Sequence, residues 1–264
     1  MRTVISSLFY AWSDMDECFA RARNEFGLDG VELSWHYDFA RPHGITDDFE
    51  AIRPAKDKYG AVVSAHLWED LPQLGPRKGQ EAIHRWLDIC RSTGAEALVI
   101  HGGTYPDRKG GLERIRQVLE KSVGRLEKDG VVLHLENHYA YDYRNGHELL
   151  SEPWEFLEIF EKIDSPSLRI CFDTGHAHMT ENTESLLAEL SAWIAYIHMV
   201  DNNGPDDDHT GYGLGAVDWE TVFAALRRVG FDGTVCVEFE VREDHKPFRR
   251  FMRDLKARFA DEPI

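Results

Sequence analysis

The chain has 264 residues, a formal net charge of −17, 42% hydrophobic residues and seven tryptophans. That composition excludes a disordered chain, and the length is near that of one α/β barrel, able to bury about three quarters of the surface its unfolded form exposes. The acidic balance speaks against nucleic acid as the main partner, because proteins that grip phosphate backbones need basic surface to replace counterions.

In chain order, short apolar runs with polar ends alternate with longer amphipathic stretches. Strands are predicted over Val4 to Tyr10, Gly30 to Ser34, Val62 to Leu67, Ala97 to His101, Val131 to Asn137, Leu168 to Asp173, Ile194 to Met199 and Thr234 to Glu238. Each is a continuous apolar run, the pattern of a parallel strand buried on both faces. Helical spacing follows each strand, over Asp14 to Phe26, Asp47 to Tyr59, Arg77 to Thr93, Leu112 to Lys128, Glu152 to Ile163, Thr183 to Ser191, Trp219 to Val229 and Asp244 to Ala260. Eight strand–helix units without a composition break, and no glycine-rich phosphate loop after the first strand, predict one (β/α)8 TIM barrel over residues 1–264.

Cys18, Cys90, Cys171 and Cys236 are far apart, and the last three fall in apolar runs, so buried free thiols are expected. No run reaches the ~18 apolar residues of a membrane helix, and MRTVISSLFYAWSDMDE shows no small-residue cleavage pattern. A cytoplasmic protein with no membrane partner is the expectation.

In such barrels the site lies at the C-terminal ends of the strands. Six successive strands end in His66, His101, Glu136, Asp173, His198 and Glu238, with Asn137, His138 and His176 just beyond. A lone histidine at a strand end is ordinarily a hydrogen-bonded loop residue, but six coincidences are needed to explain all of these. Clustered carboxylates repel one another unless a cation neutralises them. Carboxylate and imidazole ligands without cysteine suit Mn, Mg, Co, Fe or Zn. After the seventh strand, Asp201 to Trp219 forms a glycine-rich loop with Asp207 and His209 inside it, and Asp218 reads as a helix cap.

The stretches LENH (135 to 138), FDTGHAH (172 to 178), IHMVDN (197 to 202), DDHTGYGLGAVDW (207 to 219) and VEFE (237 to 240) resemble the xylose-isomerase-like barrel superfamily, which holds sugar isomerases, epimerases and dehydratases as well as the endonuclease IV class. The resemblance implies a divalent metal on Glu136, Asp173, His198 and Glu238. It also implies that Glu136 and Glu238 act as acid/base groups that take a proton from carbon next to a carbonyl, giving an enediolate, and that His176 contacts substrate oxygens. His209 falls where ketose epimerases often carry arginine, a departure from that subgroup. The trinuclear endonuclease pattern can also be followed, which makes His66, His101, Asp207 and His209 candidates for further metal ions or for substrate.

The expected function is therefore a metal-dependent isomerase, epimerase or related lyase for a small sugar, polyol or keto-sugar. Apurinic-site DNA endonuclease or another multinuclear phosphoesterase is the alternative, and a barrel that keeps metal for structure is the third reading. Phe9, Tyr10, Trp12, Trp35, Trp68 and Tyr105 follow the first four strands and offer faces for sugar C–H surfaces. Arg41, Arg77, Lys78, Arg108 and Lys109 are the main basic candidates for a nucleic-acid partner. Proteins of this resemblance often form dimers or tetramers, which leaves a homo-oligomer open.

Overall fold

A computed structural model of the chain describes residues 1–35, 49–143, 146–204, 206–241 and 245–259. Eight parallel strands close into a barrel: β1 (Arg2–Ser6), β2 (Gly30–Trp35), β3 (Val62–Leu67), β4 (Ala97–His101), β5 (Val132–Glu136), β6 (Leu168–Asp173), β7 (Ile194–Met199) and β8 (Thr234–Val237). Each strand pairs with its sequence neighbour, and β1 closes on β8 with Ile5 opposite Val237. The helices are α1 (Met15–Ala20), α2 (Phe49–Tyr59), α3 (Leu71–Thr93), α4 (Arg108–Asp129), α5 (Pro153–Phe160), α6 (Thr174–Met179), α7 (Thr183–Leu190), α8 (Trp219–Arg228) and α9 (Lys246–Phe259).

The predicted alternation holds, and the departures have local causes. Strand β1 stops at Ser6 and continues as a 3-10 turn over Ser7–Phe9, where the Ser7 hydroxyl accepts from the Ser34 amide at 3.2 Å. The first helix passes into a π turn over Arg21–Glu25. Helix α3 starts six residues before the predicted Arg77, capped by Asp70. It kinks at Gly75 (φ 73°) just before Pro76, which has no amide to donate. Helix α4 starts four residues before Leu112, capped by the Asp107 carboxylate accepting from the Gly110 amide at 2.7 Å. Asp218 caps α8 as predicted, accepting from Thr221 at 3.2 Å. Helix α6 and a small antiparallel sheet of Thr104–Tyr105, Gly146–Glu148 and Asp142–Tyr143 were not predicted, being too short to carry a periodicity. The predicted helix starts at Asp47 and Asp244, the predicted end at Ala260, and the candidate Arg41 lie outside the described residues.

Apolar burial comes in two layers. Val4, Ala97, Val99, Cys171, Tyr196 and Cys236, with Val62 against them, fill the inside of the barrel. A larger layer of residues such as Leu33, Leu98, Leu133, Ile170 and Val235 packs between strands and helices. Side chains alternate along a strand, so Val62, Ser64 and His66 share the inward face of β3, and Cys236 and Glu238 share that of β8. The residues inward of the core point one step further up the axis at the site. All four cysteines are buried free thiols, and no helix among the described residues is long and apolar enough to cross a membrane.

Gly30 opens β2 where it crosses β3, and a Cβ there would lie 1.9 Å from the Val62 carbonyl oxygen. Backbone cannot retreat from such a contact without disturbing the barrel ladder. Gly30→Ala is expected to lower stability by about 1–3 kcal/mol in urea unfolding, and an unchanged midpoint would contradict this close packing.

Candidate metal centre

The strand ends converge on the imidazole of His198, fully buried on β7. Its Nδ1 lies 2.9 Å from Glu238 Oε2, 3.1 Å from Glu136 Oε1 and 3.9 Å from Asp173 Oδ2. Ligand atoms of Glu136, Asp173, His198 and Glu238 all lie within 4.8 Å of one another. None of the four is more than 3% exposed. These are the four residues predicted as ligands, and the structure brings all four together.

A second group adjoins the first through the other oxygen of the same glutamate. Glu136 Oε2 lies 3.2 Å from His66 Nε2 and 3.3 Å from His101 Nε2, and the two Nε2 atoms are 3.2 Å apart. A third group stands at the mouth, where Asp207 lies between two imidazoles, His176 Nε2 at 3.4 Å and His209 Nε2 at 3.3 Å. The far nitrogens of both rings are pinned by backbone: His176 Nδ1 donates to the Asn137 carbonyl and His209 Nδ1 to the Glu238 carbonyl, each at 2.9 Å. That leaves both Nε2 atoms facing the carboxylate, the arrangement in which an outer hydrogen bond fixes a ligand's tautomer.

The residues fit a divalent cation on three counts. Asp173 Oδ2 and His66 Nδ1 are buried without a hydrogen-bond partner, a costly state for polar atoms unless something else satisfies them, and Glu136 Oε2 and Asp207 Oδ1 meet only imidazole nitrogens at 3.2–3.3 Å. Three carboxylates meet at one point with no lysine or arginine in contact with them among the described residues. The donors are oxygen and imidazole nitrogen, suited to several first-row ions and Mg.

Charges respond accordingly. Burial pushes the Asp173 carboxyl up to about 7, against the pull of His176. Burial also opposes ionisation of Glu136, but the imidazoles of His198, His101 and His66 outweigh it and hold that carboxyl well below its usual range. His66 falls to about 4 through burial, so it stays neutral and able to ligate. His209 rises to about 9 because Asp207 and Glu238 outweigh its burial.

Other predicted participants divide. Phe9 stacks on His209 (4.8 Å, 25°) and Trp68 on His101 (5.9 Å, 28°), so both face the site. Tyr10 is buried and bonded to Cys18, Trp12 donates to the Ser7 carbonyl, and Tyr105 lies under Arg114. Arg108 is committed to the buried Glu155 at 2.7 Å, and Arg77 to Glu81 at 2.9 Å. Two residues escaped the sequence reading. Glu148 comes from the small sheet and lines the mouth beside His138, its carboxyl raised to about 7 by burial. Glu32 lies on the floor beneath His198, and its signal was a charged residue inside a strand buried on both faces.

The sequence model of the xylose isomerase-like TIM barrel family matches residues 19–258, and the chain belongs to that family. An uncharacterised protein of Methanocaldococcus jannaschii is 31% identical over 69% of this chain and 66% of its own length, just under two thirds of that relative. A ketose 3-epimerase of Arthrobacter globiformis is 26% identical over 81% of this chain and 74% of its own. A probable endonuclease 4 of Thermoplasma acidophilum matches at 26% over 50% of this chain and 46% of its own. Among solved structures, a D-tagatose 3-epimerase-like protein superposes with TM-score 0.74 at 22% identity over 96% of both chains, which shows the shared fold.

The mouth loop that carries Asp207 and His209 is cinched onto the buried Asp201. Its carboxylate accepts from the Gly213 amide (2.8 Å), the Val217 amide (3.1 Å) and the Trp219 indole (2.9 Å). Gly215 passes so close that a Cβ would lie 2.3 Å from the Asn202 carbonyl oxygen. Asp201→Ala strands those donors and is expected to cost roughly 1–3 kcal/mol in urea unfolding; wild-type stability would show that the loop is held by something else.

Proposed function

We propose that the protein is a metal-dependent isomerase, epimerase or related lyase that acts on a sugar, polyol or keto-sugar by proton transfer next to a carbonyl. The observation that carries this reading is the convergence of two glutamates, Glu136 and Glu238, from different strands on one buried imidazole edge. Glu136, Asp173, His198 and Glu238 would hold the cation, which when bound would polarise the substrate carbonyl as a Lewis acid.

The chain's own residues do the rest. One glutamate takes the proton from the carbon beside the carbonyl, and the same or the other returns it. Return to the opposite face of the same carbon gives an epimer, and return to the former carbonyl carbon moves the carbonyl and gives an isomer. His176, its Nδ1 tied to the Asn137 carbonyl, presents Nε2 towards substrate oxygens. The cavity above the site holds about 360 Å³ and is lined by Trp68, Glu69, Asp70, Thr104, Tyr139 and Glu148 with the site residues. Carboxylates accept from substrate hydroxyls and the aromatic rings cover C–H faces, a lining suited to a small polyhydroxyl compound. The likeness to a ketose 3-epimerase supports the same chemistry.

A second reading, phosphoester hydrolysis as in an apurinic-site endonuclease, is favoured by the groups His66–His101–Glu136 and His176–Asp207–His209, which could take two further ions. The carboxylates of Glu69, Asp70 and Glu148 in the cavity wall and the charge of −17 work against a phosphodiester there. Salt-dependent binding to abasic duplex DNA, with strand cleavage, would establish this reading in place of the first.

The deciding assay is a panel of sugars and polyols in deuterated water with the metal-loaded protein. The reading predicts deuterium entering at the carbon beside the carbonyl of the true substrate. Glu136→Gln and Glu238→Gln are each expected to reduce turnover at least 10²-fold, in the range of general acid–base contributions, with metal content measured alongside because each side chain is also a ligand. Full activity in either variant would sink the two-glutamate mechanism.

A further inference from the structure

Glu32 has no place in the chemistry above, yet it is among the most buried charged residues of the molecule, 0% exposed at the inward face of β2. It stands opposite Ser6 on β1 and Ser64 on β3, beneath the ligand group. Its Oε2 lies 3.0 Å from His198 Nε2. The other nitrogen of the same ring, Nδ1, is the one that faces Glu136, Glu238 and Asp173. The imidazole is thus held edge to edge, with one carboxylate behind it and three in front.

The second oxygen of Glu32 accepts from the Cys236 thiol at 3.6 Å and lies 3.9 Å from His66 Nδ1. His66 turns its own Nε2 towards Glu136 and His101. The floor carboxylate therefore bonds His198 and stands near His66 without bonding it. Among the described residues, the polar groups against Glu32 are these three, with no lysine or arginine among them.

We propose that Glu32 is a positioning residue that keeps the His198 proton on Nε2 and presents Nδ1 to the cation. The inference rests on reading His198 as a metal ligand and says which of its nitrogens binds and what makes it bind well. A neutral imidazole carries one proton, and a carboxylate behind Nε2 holds that proton there while making Nδ1 a stronger donor. The 3.0 Å bond to Glu32 also restrains rotation of the ring. Glu32 could instead ligate directly, since oxygen and nitrogen atoms of Glu32, His66, His198 and Glu238 also fall within 4.8 Å of one another. The two roles differ in which ring nitrogen meets the ion.

The test uses the full chain, stripped of metal and titrated with Mn²⁺ while free ion is followed by electron paramagnetic resonance. Glu32→Gln keeps the shape and removes the charge. It is expected to bind Mn²⁺ 10–100-fold more weakly with the same number of ions per chain, while far-UV circular dichroism stays that of wild type. Equal affinity in wild type and Glu32→Gln overturns this proposal and leaves the functional reading standing. A wild-type chain that binds no Mn²⁺ removes both.

A second measurement needs no variant and so survives a Glu32→Gln protein that fails to fold. Wild-type protein labelled with ¹⁵N-histidine and loaded with ¹¹³Cd should show His198 coupled to the ion through Nδ1, with a slowly exchanging proton on Nε2. Coupling through Nε2 would place Glu32 beside the ion as a ligand and overturn the positioning role.

Discussion

The contact of His198 with four carboxylates, three on Nδ1 and one on Nε2, is the constraint around which the molecule is arranged. Burying that many acids within a few ångströms is strongly unfavourable unless imidazolium or metal charge offsets it. Burial alone would drive His198 to deprotonate. The Cys171 thiol and the carboxylates of Glu238, Glu32 and Glu136 outweigh it and raise the imidazole well above its ordinary value. Without a metal, the ring's protons stand in for the missing positive charge. A divalent ion held by Glu136, Asp173, His198 and Glu238 would supply more of it and would satisfy the unpartnered Asp173 Oδ2.

The fold serves this cluster by parity and by closure. Because side chains alternate along a strand, the apolar plug of Cys171, Tyr196 and Cys236 and the polar layer of Asp173, His198 and Glu238 occupy the same inward faces, two residues apart. The plug keeps water from below and lowers the local dielectric, which strengthens every interaction above it. Loops then build the wall. Asn137 is bonded to both the amide and the carbonyl of Asp173 and holds β5 to β6 at the site. Asp201 draws the glycine-rich segment down, so that Asp207 and His209 reach the mouth.

Most of this was legible in the sequence because barrel strands announce themselves twice, as apolar runs and by what terminates them. His66, His101, Glu136, Asp173, His198 and Glu238 each end such a run, and all six meet in space. Asp207 and His209 required the family resemblance, since an acidic turn is ordinarily solvated. Glu32 escaped because it sits mid-strand and not at a strand end, so its charge inside a buried strand was the only sign, and its depth in the barrel depends on the strand stagger, which sequence does not display. Glu148 escaped for another reason: its three-residue strand carries no periodicity, and only the tertiary fold turns it over the mouth. The early start of α3 lies before Gly75 and Pro76, where the helix kinks rather than ends.

The buried carboxylate–imidazole cluster is proposed to hold divalent metal. The most direct measurement is elemental analysis of protein purified without added metal, at a concentration fixed by amino-acid analysis. At least one stoichiometric divalent ion per chain is expected: one Mn, Mg or Co for the Glu136–Asp173–His198–Glu238 site alone, or two to three Zn or Fe if the His66 and Asp207 groups are filled as well. A protein that carries no metal and takes up none when Mn²⁺, Zn²⁺ or Mg²⁺ is supplied would contradict it, and the cluster would then have to be explained by protonation alone.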